Sequence, residues 1–136
     1  MRIIQVTGRS NSGKTTFIRT LIPALNRLGK VGVIKHLAEH DFFLEEGKDT
    51  TGFFQAGAAI SAGIDGHKSV AAIRNNSLDA MLALMKAQGM DFAILEGFKQ
   101  QPYRKIVIGD LKVGGSLLTN PTIDEVIAAI HLFDEY

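Results

Sequence analysis

Residues 8–15 read Gly8-Arg9-Ser10-Asn11-Ser12-Gly13-Lys14-Thr15 and meet the pattern G-x-x-x-x-G-K-[ST] at every fixed position. With 14 glycines in 136 residues, composition alone yields this match in roughly one such chain in a hundred. The flanks supply the context that the pattern needs. Before it, Arg2 to Thr7 is a β-prone apolar run with Gln5 as its one polar interruption. After it, Phe17, Ile18, Leu21, Ile22, Leu25 and Leu28 recur at three- and four-residue spacing. That spacing predicts a helix over Thr15–Leu28, with a kink at Pro23 and Gly29 as its C′ stop. Val31–Lys35 (VGVIK) reads as a second strand, which completes a strand–helix–strand unit with a right-handed parallel crossover.

The chemistry of this loop follows from its residue types. Gly8 and Gly13 let successive backbone N–H groups turn inward toward an anion, where a side chain would obstruct it. Lys14 adds a point charge for β- and γ-phosphates, and the Thr15 hydroxyl suits a Mg²⁺ that bridges them. The helix that begins here aims its unpaired N–H groups at the same place.

Farther along, Thr50–Ala58 predicts a short helix, and Ala59–Arg74 predicts a hairpin turning at Asp65-Gly66. Ser77–Gln88 reads as an amphipathic helix capped near Asn76 or Ser77, and Phe92–Leu95 as a buried strand ending at Glu96-Gly97. Ile106–Ile108 and Ser116–Thr119 predict further strands, and Asn120-Pro121-Thr122 starts a last helix. This alternation, with no linker or repeat, predicts one α/β domain over residues 1–136. The formal charge of +1 offers no field for nucleic acid or an anionic membrane, so neither is expected as a partner. The absence of cysteine excludes thiolate zinc sites and disulfides and suits a reducing, cytoplasmic setting.

A phosphate-binding loop of this type works with a carboxylate from a neighbouring strand, and Glu96 at the end of the Phe92–Leu95 run is the candidate. Asp41 and Asp49, after the second strand, are candidates for a switch-like approach to the phosphates or are simply solvated. His36-Leu37-Ala38-Glu39-His40 has the form H-x-x-E-H used by a class of zinc proteases. It follows a strand directly and lacks helical periodicity, so His36 and His40 are read as loop residues near the nucleotide or packed against neighbours. Lys99, Arg104 and Lys105 are either a basic rim near Glu96 or scattered surface bases. Phe42, Phe43, Phe53 and Phe54 are either core or an exposed docking patch.

Taken together, Val6–Thr16, Val33–His36 followed by His40-Asp41-Phe42, Gly47-Lys48-Asp49-Thr50, Ala56-Gly57-Ala58, Leu95–Lys99 and Lys105–Ile108 resemble the MobB family of molybdopterin-guanine dinucleotide biosynthesis proteins. The resemblance implies a P-loop NTPase-like three-layer sandwich with a mostly parallel sheet and a peripheral β-hairpin. It implies GTP as ligand, hydrolysis that is slow at most, a homodimer, and a molybdenum cofactor guanylyltransferase as partner. Carried over by position, Gly8, Ser10, Asn11, Ser12, Gly13, Lys14, Thr15 and Thr16 would bind the nucleotide. Thr15, Glu96 and Asp41 would hold Mg²⁺, and Lys14, Glu96 and Asp41 would serve hydrolysis. No Asn-Lys-x-Asp sequence is present, so GTP over ATP rests on the resemblance, with Asn120 the candidate for contact with the base. The rival reading is an ATP-dependent small-molecule kinase or ligase-like enzyme on the same scaffold, with Lys99 or Lys105 on an anionic substrate.

Overall fold

The computed structural model describes residues 1–37 and 43–136. Its elements are β1 (Arg2–Gly8), α1 (Lys14–Leu25), β2 (Val31–Lys35), α2 (Asp49–Gln55), β3 (Ile60–Ile64), β4 (Ser69–Ile73), α3 (Leu78–Ala87), β5 (Phe92–Glu96), β6 (Lys105–Ile108), β7 (Ser116–Thr119), α4 (Ile123–Ala128) and β8 (Asp134–Glu135), with a 3₁₀ turn at Ile130–Leu132 before the last strand. Two compact units are distinguished: residues 1–36 with 81–136, and residues 37–80.

The first unit holds a six-stranded sheet in the order β2-β5-β1-β6-β7, with β8 also paired to β1. The five strands of the main path are all parallel. This is why β1 and β5 are near-continuous apolar runs rather than alternating ones: helices cover both faces of such a sheet. Ile4, Val6, Phe92, Ile94 and Ile106 pack with Ile18, Leu21 and Leu25 of α1 and Val126 of α4 in one core cluster. The alternate residues Ile3, Ala93, Leu95 and Val107 point to the other face by the two-residue period and are also buried, as is Leu82 of α3. The doubly covered parallel sheet anticipated for a P-loop NTPase-like sandwich is therefore the architecture found.

The second unit consists of α2 and the two-stranded antiparallel hairpin β3–β4. The hairpin closes where Asp65-Gly66 was expected to turn, through the four residues 65–68. Asp65 Oδ1 accepts from the backbone N–H of His67 and Lys68 at 2.7 and 2.8 Å, an Asx turn.

Helix α1 ends earlier than its apolar spacing predicts, at Leu25, with Asn26 as C-cap. Gly29 is not left-handed and is not the stop. A Cβ there would lie 2.5 Å from Asp91 Oδ2, and Asp91 Oδ2 also accepts from Lys30 N at 2.8 Å. Glycine at 29 therefore serves close packing between the α1–β2 and α3–β5 connections. Among the described residues no helix is long and apolar enough to cross a membrane.

Candidate functional site

The carboxyl ends of β5, β1 and β6 lie side by side, with Val6 in register with Glu96 and with Ile106. The loop between β1 and α1 leaves this edge. Its geometry is set by residues with positive φ: Asn11 at 59° and Gly13 at 91°. An alternation of left- and right-handed residues turns consecutive N–H groups to one side. Gly8 is required for another reason, since a Cβ there would lie 2.3 Å from the Ile108 carbonyl oxygen and 2.6 Å from Ser12 Oγ. At Gly13 a Cβ would touch nothing within 4 Å; there the backbone angle makes the demand.

Helix α1 starts at Lys14 with no side chain capping it and no acidic residue in its first turn. Its first N–H groups are thus left for another acceptor. The Lys14 ammonium folds back across the loop to donate to the Arg9 carbonyl. Ser12 Oγ is buried and has no hydrogen-bond partner.

Glu96 is the carboxylate this loop meets. Its side chain is 11% exposed, and Oε1 accepts from the Thr15 hydroxyl at 3.1 Å. The same Oε1 lies 3.6 Å from Lys35 Nζ, which extends from the end of β2 in register with Glu96. Burial pushes the Lys14 ammonium below the ordinary lysine range; the Glu96 carboxylate opposes that, and Lys99 and Lys35 add to it. Three ammoniums therefore act around one carboxylate. A hydroxyl and a carboxylate oxygen in contact form a hard donor pair of the kind Mg²⁺ takes, with its remaining positions left to water and phosphate. The unpartnered Ser12 hydroxyl and the uncapped N–H groups at the start of α1 fit an anion in the loop.

Several sequence expectations resolve here. The loop, Lys14, Thr15 and Glu96 are brought together. Asp41, His40 and Glu39 lie outside the described residues, and so do the second half of the H-x-x-E-H sequence and Phe42. His36 packs its ring against Phe98, with centroids 4.9 Å apart. The basic rim is corrected. Lys105 is 3% exposed and donates to the carbonyls of Gln101 and Tyr103, while Arg104 Nη1 donates to the Leu132 carbonyl. Both are held by backbone, because a Lys at the first residue of a central strand must bury its stem and find acceptors for its head. Lys35, which sequence reasoning passed over as the end of a strand, stands beside Glu96 instead. Asn120 at φ 47° uses both ends of its amide on Gly109, accepting from its N–H at 2.6 Å and donating to its carbonyl at 3.1 Å. It ties the loop after β6 to the end of β7.

Gln5, on β1, reaches the turn after β5. Its Nε2 donates to the carbonyls of Gly97 and Phe98 at 2.9 and 2.6 Å. A polar residue in the middle of a buried strand was the available signal, because such a residue needs partners.

Comparison with known proteins identifies the family. The family model described as "Molybdopterin guanine dinucleotide synthesis protein B" matches residues 3–131. A Bacillus subtilis protein named "Probable molybdopterin-guanine dinucleotide biosynthesis adapter protein" is 38% identical over 111 residues, covering 78% of this chain and 64% of its own length. A Methanocaldococcus jannaschii protein named "Putative molybdopterin-guanine dinucleotide biosynthesis adapter protein" is 32% identical over 145 residues, covering 96% of this chain and 61% of its own. The chain thus spans a little under two thirds of the length of these two relatives. The solved structure of Bacillus subtilis MobB superposes with a TM-score of 0.70 at 31% identity, covering 88% of this chain and 77% of that one. With a matched region that runs from β1 to the last helical turn, the chain belongs to the MobB family.

Proposed function

We propose that this protein is a guanine-nucleotide-binding adapter in the assembly of molybdopterin guanine dinucleotide, with Mg²⁺-dependent GTP hydrolysis that is slow when the protein is alone. The observation that carries the reading is the Thr15–Glu96 contact beside a glycine-shaped loop at the uncapped start of α1. In this reading the N–H groups of residues 8–16 cradle the phosphates. Ser10, Asn11, Ser12 and Thr16 line the cradle, and Lys14 exchanges the Arg9 carbonyl for phosphate oxygen. Thr15 and Glu96 hold Mg²⁺, with Asp41 the further acidic candidate. The bound Mg²⁺ would neutralise charge on the β- and γ-phosphates. Slow turnover follows from the arginines. Arg9, the one arginine in the loop, is turned to Asp110 at 3.0 Å, and in this reading it does not serve as a cis arginine for the charge that develops on cleavage.

The relatives' names supply the adapter role and imply a partner, which we take to be the guanylyltransferase of the cofactor. The homodimer expected from the resemblance is supported by the second unit, where Ile60, Ile64 and Val70 are exposed on a two-stranded hairpin and Phe53 is exposed on α2. Such a hairpin has little independent stability.

The test is equilibrium binding of GTP and ATP, with and without Mg²⁺, to the wild type and to Lys14→Ala. The expected result is Mg²⁺-dependent binding of GTP in preference to ATP, weakened at least about tenfold in Lys14→Ala by loss of a charge-assisted contact. Preference for ATP would contradict the adapter reading and favour the kinase-like one.

A further inference from the structure

The cations around Glu96 outnumber what the carboxylate can neutralise, and one of them is poorly engaged. Lys35 Nζ stands 3.6 Å from Glu96 Oε1, beyond a good hydrogen bond, and that oxygen already accepts from Thr15. Its side chain is 53% exposed, so it is hydrated and free to choose another rotamer. Lys14, by contrast, is tied to its own loop, and Lys105 is sealed among carbonyls.

Position fixes what Lys35 can reach. It ends β2, in register with Glu96 on β5, and Glu96 is in register with Val6 on β1, one residue before Thr7-Gly8. Lys35 therefore lies on the β5 side of the loop, the side of Thr15 and Glu96, and away from Ile108, Gly109 and Asp110 on the β6 side. In a loop of this type, the residues that hold the metal lie beside the bond between the last two phosphates. A cation beyond Glu96 on that flank meets the end of the phosphate chain rather than its nucleoside end. A phosphoryl oxygen is also the better partner, since it brings more negative charge than one already shared carboxylate oxygen.

We propose that Lys35 recognises the terminal phosphoryl group of a nucleoside triphosphate and so sets the preference of this site for triphosphate over diphosphate. The inference rests on nucleotide binding at the loop. Lys35 leaves the shared Glu96 oxygen for the phosphoryl oxygen, which frees that carboxylate for its other partners. Lys99, whose charge is felt at Lys14 from the turn that Gln5 holds, adds to the field without a fixed contact.

The experiment is calorimetric titration of the full chain with Mg²⁺-GTP and with Mg²⁺-GDP, for the wild type, Lys35→Ala, Lys35→Gln and Lys35→Arg. Lys35→Ala and Lys35→Gln should each weaken GTP about tenfold while GDP moves less than about twofold, the effect of one charge-assisted contact. Lys35→Arg should keep most of the preference. Because two neutral variants are used, poor folding of one does not decide the result. Equal losses for GTP and GDP, or no loss for either, would overturn the role of Lys35 while leaving nucleotide binding intact. A wild type that binds neither nucleotide would overturn the reading of the loop, and this inference with it.

Discussion

Lys14 shows how a single residue records the character of the site. Dehydration lowers its pKa from the ordinary 10.5, Glu96 raises it, and Lys99 and Lys35 lower it further. The charged form is thus disfavoured by folding. The cost is full below the lowered folded value and disappears as pH rises through that value toward 10.5. An anion in the loop reverses the balance. The prediction is direct: in a pH titration followed by NMR at the Lys14 side-chain ¹³Cε, the midpoint lies below that of exposed lysines. Glu96→Gln should lower it further and Lys99→Ala should raise it; a midpoint unmoved by either change would remove the charge cluster from the account. Individual residues are also where the sequence was least legible. Lys14, Thr15 and Glu96 could be found because a local pattern or a strand end marks them. Lys35 and Gln5 could not be assigned, because their partners lie 61 and 92–93 positions away and meet them only across strands.

At the scale of elements, two helix starts face opposite demands. Helix α1 is left uncapped behind Gly13, which under the proposed function keeps its N–H groups for the phosphates. Helix α4 is closed by a capping box, with Thr122 Oγ1 accepting from Glu125 N at 3.2 Å and Thr122 N donating to Glu125 Oε2 at 2.7 Å. Thr122→Ala should therefore cost about 1 kcal/mol, seen as a fall of about 4 °C in Tm, with nucleotide affinity unchanged. Most element identities were legible: the strands flanking the loop, the hairpin and α3 all announce themselves through local apolar period and turn residues. Boundaries followed tertiary contacts instead. Leu28 continues the apolar period of α1 yet is 55% exposed, because the chain has left the helix at Asn26 to carry Gly29 past Asp91. The two-residue strand β8 has no period to detect; its pairing with Arg2 and Ile3 comes from the far end of the chain.

For the whole molecule, the decisive fact is where burial is concentrated. Every buried hydrophobic residue among those described, from Ile3 to Phe133, belongs to the first unit. In the second unit the buried residues are Thr51 and Ser61, fastened by hydrogen bonds from their hydroxyls to the carbonyls of Glu45 and Thr50 at 2.7 Å each. One unit is thus held by packing and the other mainly by polar contacts and its hairpin. The first unit is also sewn shut at its termini: Arg2 Nη1 donates to the Phe133 carbonyl at 2.8 Å, Arg2 pairs with Glu135 at 2.8 Å, and Tyr136 N donates to the Met1 carbonyl at 2.9 Å. Phe133, 2% exposed, fills the cluster under α1 and α4. Two phenylalanines of equal size therefore predict opposite outcomes. Phe133→Ala leaves a cavity in the packed core and should cost about 3–5 kcal/mol, a fall in Tm of about 10 °C or more. Phe53→Ala, at a residue 62% exposed, should stay within about 0.5 kcal/mol for the isolated chain. Thermal unfolding of the two variants beside the wild type at low protein concentration measures both, and a Phe53→Ala loss as large as that of Phe133→Ala would mean that the second unit carries a core of its own.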